Sequence, residues 1–244
     1  MGEQLFPLTR QGKDVSTPIE TVVFDLDDTI CEYRRSGAEI LSLAFESADV
    51  EPFFTIEEYG PIADELVTDS DSVVENRRRS FARLAERAGR DPQIGRAVAD
   101  AYAAERDPTN VQWVPGAEAA LDHLDDSYDL VLVTNGGPRE QRAKLRELGI
   151  VDRFEAVVYA GYDTAPKPEP EPLERALDAV GTPPTRAVNV GDSLRLDVLG
   201  AHNAGLRSVW LDQSEGMTPE PVPDYRIESM RELLAEPWAD PTDA

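Results

Sequence analysis

Cysteine is all but missing: Cys31 stands alone in 244 residues. A single thiol excludes an intramolecular disulfide framework and a zinc cluster built on cysteines, and it makes a reducing cytoplasm the expected setting. Lysine is nearly absent as well, with only Lys13, Lys144 and Lys167 among 24 basic residues. Against 48 acidic residues these leave a formal charge of −24. Such a chain lacks the basic surface needed to displace counterions from nucleic acid or to dock on anionic lipid. No apolar run is long enough to span a bilayer. The first residues, MGEQLFPLTRQGKD, contain no apolar core of the signal-peptide kind. The two histidines, His123 and His202, have no metal-ligand spacing and are read as structural.

What is present suits a globular protein. Hydrophobic residues make up 41% of the chain, and its length allows one large domain, or a domain with a substantial insert, around a buried core. Abundant acid with scarce lysine reads as a salt-adapted surface whose self-repulsion high salt would screen. The plain alternative is an acidic protein from an ordinary medium. Either way, a lysine beside a motif carries more information here than usual.

The stretch that organises the chain is Thr21 to Ile30, TVVFDLDDTI. Its β-branched, apolar start reads as a buried parallel strand. It ends on Asp25, Asp27 and Asp28, which puts carboxylates at the edge of an α/β sheet where ligands bind. Crowded carboxylates repel one another unless a cation lies between them, and Mg²⁺ prefers oxygen ligands.

Residues 1–18 read as an irregular lead-in before the strand at 21–26. From about 32 to 110 the pattern is helical, with stretches at about 56–66, 72–89 and 93–105. After Trp113-Val114-Pro115-Gly116 strands alternate with helices. The strands are placed at 129–133, 156–159, 187–190 and 208–211. The helices are placed at 117–126, 139–148, 170–180 and 196–204, the last three stopped by Gly149, Gly181 and Gly205. One more helix is expected at about 227–235. Alternation of this kind implies βαβ units and a mostly parallel sheet. The helical block is an insert after the first strand, with candidate hinges near 31–34 and 110–115, and such an insert is suited to act as a lid.

Three later strand ends carry chemistry. Thr134-Asn135-Gly136-Gly137 offers a hydroxyl and free N–H groups at a strand–helix turn, a phosphate-holding arrangement, with an ordinary glycine turn as the alternative. Lys167 sits between Pro166 and Pro168, which stiffen its loop, and a held lysine can neutralise phosphoryl charge. Gly191-Asp192-Ser193-Leu194-Arg195-Leu196-Asp197 follows the next strand, with a helix N-cap as the rival reading of Asp192.

Taken together, D-x-D-x-T (Asp25, Asp27, Thr29), Thr134, Lys167 and G-D-x-x-x-x-D (Asp192, Asp197) resemble, in order and spacing, the haloacid dehalogenase-like phosphohydrolase superfamily. The likeness covers about 20–31 and 113–212. T-N-G and K-P look like its phosphatase branch with a helical cap inserted after the first motif, and the composition suggests a haloarchaeal member. The resemblance implies a Rossmann-like, mostly parallel α/β core over 1–31 and 111–244 and an all-helical cap over 32–110. It implies Asp25 as the nucleophile that forms an aspartyl-phosphate and Asp27 as the general acid and base. Mg²⁺ would be held by Asp25, by Asp27 through its backbone carbonyl, and by Asp192. Thr134, Asn135, Gly136 and Lys167 would hold the phosphoryl oxygens. Asp197 either holds a metal-bound water or positions Lys167.

The expected function is hydrolysis of a small-metabolite phosphomonoester, with phosphoglycolate, a sugar phosphate and a nucleotide all open as substrates. No nucleic acid or membrane partner is expected, and the sequence does not fix an oligomeric state. The alternatives are a 2-haloacid dehalogenase, which would lack the second aspartate, and a non-catalytic phospho-acceptor or binding protein. Asp28 is assigned no role, Cys31 is read as a packed residue, and Trp113 and Trp210 as core residues. The triplet Arg77-Arg78-Arg79 is read as salt-bridged to surface acids, with a substrate-reading cluster as the alternative.

Overall fold

The computed structural model describes residues 17–66, 73–214 and 218–239. Lys13, most of the expected lead-in and the chain's last residues lie outside them. The strand β1 (Thr21–Phe24) is wholly buried and lies inside a six-stranded sheet. It pairs in parallel with β4 (Asp129–Thr134) on one side and β6 (Ala187–Gly191) on the other. Beyond β4 lies β5 (Ala156–Tyr159), and beyond β6 lie β7 (Arg207–Leu211) and β8 (Tyr225–Ile227). All these pairings are parallel.

Strand alternation sorts the apolar residues onto two faces. Val22 and Phe24 join one cluster with Leu121 and Leu124 of α5 (Ala117–Asp125) and Leu145 of α6 (Pro138–Glu147). Val23 joins the other, with Leu173 and Leu177 of α7 (Glu171–Val180) and Ala201 of α8 (Leu199–Ala204). A sheet covered on both faces explains why β1 and β4 are continuous apolar runs rather than alternating ones.

The insert after β1 holds α1 (Gly37–Ser47), α2 (Ile56–Leu66), α3 (Val73–Arg87) and α4 (Pro92–Glu105). These helices follow the sequence periodicity within about two residues; position 72 lies outside the described residues. They pack around an apolar cluster of their own that includes Phe45, Phe54, Phe81 and Tyr102. The segments read as hinges are paired with one another: β2 (Cys31–Tyr33) and β3 (Val111–Trp113) form an antiparallel two-stranded ribbon. The sequence reading held no strand there, because three residues are too few to show alternation.

Two other segments differ from expectation. The helix expected at about 227–235 is the short strand β8 followed by a 3₁₀ helix, Met230–Ala235, opened by a Ser229–Glu232 capping box. The helix expected from 196 begins earlier, with a π turn at Leu194–Val198 that runs into α8. Among the described residues no helix is long and apolar enough to cross a membrane.

α3 and α4 cross closely at Gly95, where an added Cβ would sit 2.1 Å from the Phe81 carbonyl oxygen. Backbone cannot give way as a side-chain tip can. Gly95→Ala should therefore destabilise the fold by about 1–3 kcal/mol despite alanine's higher helix propensity. Urea unfolding of the variant beside the wild type measures this, and an unchanged or higher midpoint would contradict the packing described.

Candidate active site

On this sheet the chain order reverses at β1: β4 and β5 extend to one side and β6, β7 and β8 to the other. A crevice opens at the carboxyl ends of the strands flanking such a reversal. Asp25, Thr134 and Asp192 lie at that edge, at the ends of three adjacent strands. The Asp25 N–H still donates to the Val190 carbonyl at 3.0 Å. The chain then turns away. Asp28 has a φ of 59°, and its N–H donates to the Cys31 carbonyl at 2.8 Å.

Carboxylate oxygens of Asp25, Asp192 and Asp197 lie within 4.8 Å of one another. Lys167, 3% exposed, reaches into this cluster. Its Nζ donates to Asp25 Oδ1 at 2.6 Å, Asp197 Oδ1 at 2.7 Å and the Val133 carbonyl at 2.9 Å. Those three acceptors use all three ammonium protons. Burial opposes the lysine's charge, but Asp197 and Asp25 outweigh it and hold the ammonium's pKa above its usual range.

One ammonium does not balance three carboxylates. Burial, with repulsion from Asp197 and Asp192, pushes the Asp25 carboxyl well above the usual range in spite of Lys167. Burial, with Asp197 and Asp28 beside it, pushes Asp192 up to about 7. The residues therefore fit a hard divalent cation such as Mg²⁺: the donors are all oxygen, and they are crowded enough to take up protons when no cation is held.

Local sequence explains how the acids converge. An added Cβ at Gly191 would lie 2.3 Å from Asp197 Cγ, so only glycine lets that carboxylate fold back over the strand end. Ser193 caps the π turn, its Oγ accepting the Leu196 N–H at 3.2 Å. The N-cap reading of Asp192 thus falls to its neighbour, and Asp192 is left to the cluster. Asp197, whose role the sequence left open between two choices, contacts Lys167 directly and also belongs to the cluster.

The Thr134 turn is built for reception. Thr134 Oγ1 accepts the Gly136 N–H at 3.2 Å and Gln141 Nε2 at 2.9 Å, which leaves its own proton to donate. The Asn135 side chain faces the lysine loop: Nδ2 donates to the Lys167 carbonyl at 3.1 Å, and Oδ1 accepts the Lys167 N–H at 2.9 Å. Asn135 therefore ties the Thr134 turn to the Lys167 loop through its side chain. A Cβ at Gly136 would fall 1.7 Å from Gln141 Nε2, so a side chain there would push Gln141 off its bonds to Asp27 and Thr134.

The Asp27 carboxylate stands apart from the acid cluster. Its Oδ1 meets Lys144 Nζ in a very short ion pair, and its Oδ2 accepts from Gln141 Nε2 at 2.7 Å. Burial opposes the Asp27 charge, but Lys144 and Gln141 outweigh it and hold the carboxyl below the usual range. Of the Asp27 oxygens, this leaves the backbone carbonyl for a metal. The sequence reading missed both Gln141 and Lys144, which is fully buried. The signals were there: Lys144 is one of three lysines, and the pair lies three residues apart on one face of α6. Lys144 also lies 3.6 Å from Glu140, which accepts the Tyr33 hydroxyl at 2.6 Å and lies 3.5 Å from Arg106. This chain of contacts runs from the Thr134 turn to the ribbon and the end of the helical insert.

Elsewhere, Cys31 is fully buried, and burial pushes its thiol up to about 12. His123 lies against Glu236 and His202 against Ser208, outside the cluster. The arginine triplet divides: Arg78 pairs with Asp100 at 2.9 Å, while Arg77 is buried on the wall of the active-site cavity.

A family model described as haloacid dehalogenase-like hydrolase matches residues 19–205. The chain is 39% identical over 163 residues to a phosphoserine phosphatase of Thermus thermophilus, covering 66% of this chain and 65% of that protein. It is 32% identical over 227 residues to a glyceraldehyde 3-phosphate phosphatase of Methanopyrus kandleri, covering 88% and 96% respectively. Among solved structures, the magnesium-bound putative HAD-hydrolase YfnB of Bacillus subtilis shares the fold, with a TM-score of 0.75 and 24% identity over 90% of this chain and 99% of that one. The chain spans just under two thirds of the phosphoserine phosphatase's length, and about half that of two N-acylneuraminate-9-phosphatases it matches, from Rattus norvegicus and Mus musculus.

The raised Asp192 carboxyl gives the cluster a pH signature. With no cation held, Asp192 keeps a proton up to about pH 7, and a metal must displace it, so the cation binds more tightly as pH rises. A fixed Mg²⁺ concentration should raise Tm more at about pH 8 than at about pH 6. Asp192→Asn should remove most of that rise. Thermal unfolding with Mg²⁺ and with EDTA checks both, and a Mg²⁺ effect that is larger at the lower pH would contradict the cluster's role.

Proposed function

The chain belongs to the haloacid dehalogenase-like hydrolase family, and from that membership we propose a Mg²⁺-dependent phosphomonoesterase acting on a small phosphorylated metabolite. The observation that carries the reading is Lys167, shared between Asp25 and Asp197 at the sheet's reversal point, with Asp192 completing the acid cluster. The phosphatase names of the relatives support it.

In this reading Asp25 attacks phosphorus, its carboxylate oxygen forming the new P–O bond as the ester oxygen leaves, and an aspartyl-phosphate results. The Thr134 hydroxyl and the Asn135 amide hold the phosphoryl oxygens, the Gly136 amide joins them on releasing Thr134 Oγ1, and Lys167 offsets their negative charge from beneath. Asp25, Asp192 and the Asp27 carbonyl would hold Mg²⁺, with Asp197 in support. When bound, the ion supplies positive charge that lets a carboxylate approach a phosphate dianion. Asp27 starts ionised against Lys144 and Gln141. The arriving phosphoryl charge pushes its pKa back up by like-charge repulsion, so it takes one proton from solvent as the substrate binds and passes that proton to the leaving alkoxide. As a carboxylate again, it accepts the proton of the water that hydrolyses the acyl-phosphate. A dehalogenase needs neither Asp27 nor a metal cluster, since halide leaves without a proton.

The helical segment 32–110 would act as a cap on the core formed by 1–31 and 111–244, with the β2–β3 ribbon as its connection. The lone buried Cys31 and the acidic surface suit a reducing, salt-rich cytoplasm.

Leaving-group chemistry separates the two aspartates. Asp25→Asn should abolish phosphate release from both aryl and alkyl phosphates. Asp27→Asn should lower kcat on an alkyl phosphate by about 10²–10⁴-fold and affect an aryl phosphate far less, since a phenolate needs little help to leave. EDTA should stop both reactions, and added Mg²⁺ should restore them. Turnover that survives Asp25→Asn, or metal-free halide release from a 2-haloacid, would overturn the reading.

A further inference from the structure

The active-site cavity, about 410 Å³, has a core floor and a wall contributed by the helical insert. Four cationic side chains line it or lie directly beneath it, and three are already matched. Lys167 serves Asp25 and Asp197, Lys144 serves Asp27, and Arg106 lies 3.5 Å from Glu140. Arg77 of α3 is different. It is only 5% exposed and, among the described residues, has no acid within ion-pair distance, whereas Arg106, whose Nε is equally buried without a hydrogen bond, keeps Glu140 beside it. Its one described contact is the face of the Tyr102 ring, 5.1 Å from guanidinium carbon to ring centroid.

An arginine cannot shed its charge when buried, so desolvation without a counter-ion is a standing cost. Stacking on a ring occupies the face of the guanidinium and leaves its in-plane N–H donors free. The neighbouring Arg78 shows that acids are within reach of this helix's outer side, since it pairs with Asp100. Arg77 instead turns its unmatched charge toward the cavity. Val73 and Val74, each about half exposed, line the same cavity and give it an apolar flank.

We propose that Arg77 is a second anion-binding subsite of the cavity, so that the substrate is a phosphomonoester carrying a further carboxylate or phosphate on a short carbon body. Resting on the phosphomonoesterase reading, this narrows its substrate class. The phosphoryl group to be cleaved lies over Asp25 and Lys167, the carbon body runs along the valines, and the second anion meets the guanidinium edge in charge-assisted hydrogen bonds.

The test is steady-state kinetics of the full chain with ethyl phosphate, phosphoglycolate and ethylene glycol bisphosphate. The wild type should favour at least one probe with a second anionic end over ethyl phosphate by about tenfold or more in kcat/KM. The probe favoured tells carboxylate from phosphate. Arg77→Met should bring the ratio close to one, Arg77→Lys should retain part of it, and Arg78→Met should leave it as in the wild type. A wild-type ratio near one, or a ratio that survives Arg77→Met, overturns the proposal. Should the methionine variant fail to fold, the wild-type ratio and Arg77→Lys decide the matter. If none of the three probes is hydrolysed, the phosphomonoesterase reading fails first. Calorimetric binding of phosphonoacetate against ethylphosphonate then tests the subsite alone: equal affinities overturn it, and tighter, Arg77-dependent binding of phosphonoacetate supports it.

Discussion

One buried ammonium holds the site together. Lys167 arrives on a loop between β5 and α7 and spends its three protons on Asp25, Asp197 and a backbone carbonyl of β4. It thereby ties the ends of β1 and β4 to the π turn that follows β6 and to the loop that carries it. Its single charge cannot balance three carboxylates whose oxygens crowd within 4.8 Å. The shortfall is what the site uses. In the proposed chemistry a cluster that is under-neutralised in isolation would take a small dication, and with the dication present it would receive a phosphate dianion.

The rest of the core is shaped to let that cluster form. Gly191 is a glycine because Asp197 folds over it, and Gly136 leaves room for the Gln141 side chain. Ser193 takes the capping duty that would otherwise claim Asp192. The Asn135 side chain locks the Thr134 turn to the Lys167 loop with two hydrogen bonds. Asp27 is held outside the cluster by a separate cation, Lys144, so the two motif aspartates meet opposite electrostatic conditions two residues apart. From Lys144 the contacts continue through Glu140 to Tyr33 and Arg106, at the two ends of the helical insert. The chemistry of the core and the placement of the insert share this network.

The order of strands and helices, and the residues at the strand ends, were legible because each rests on a local rule. Apolar runs mark buried strands, glycines stop helices, and carboxylates follow β1 and β6. The ends of the strands and helices from β4 to β7 fall within about two residues of those read from the sequence. What escaped was of two kinds. Short elements such as β2, β3 and β8 span three residues each and show no period. Side chains whose role depends on tertiary approach escaped as well. Gln141 and Lys144 look like solvated helix residues until α6 packs beneath the Thr134 turn. Arg77 cannot be told from Arg78 in sequence, although one faces a cavity and the other an exposed aspartate. Lysine scarcity singled out Lys167, which lies in the acid cluster, and the same scarcity marks Lys144, which holds Asp27.

The central claim is that Asp25 and Asp192 grip one dication opposite Lys167, with the Asp27 carboxylate kept away from it. Anomalous diffraction from crystals grown with Mn²⁺ in place of Mg²⁺ tests it most directly. The account predicts a single strong peak in the cavity, within bonding distance of Asp25 and Asp192 carboxylate oxygens and of the Asp27 backbone carbonyl. An ion bound through the Asp27 carboxylate, or no ion between Asp25 and Asp192 at saturating metal, would contradict it.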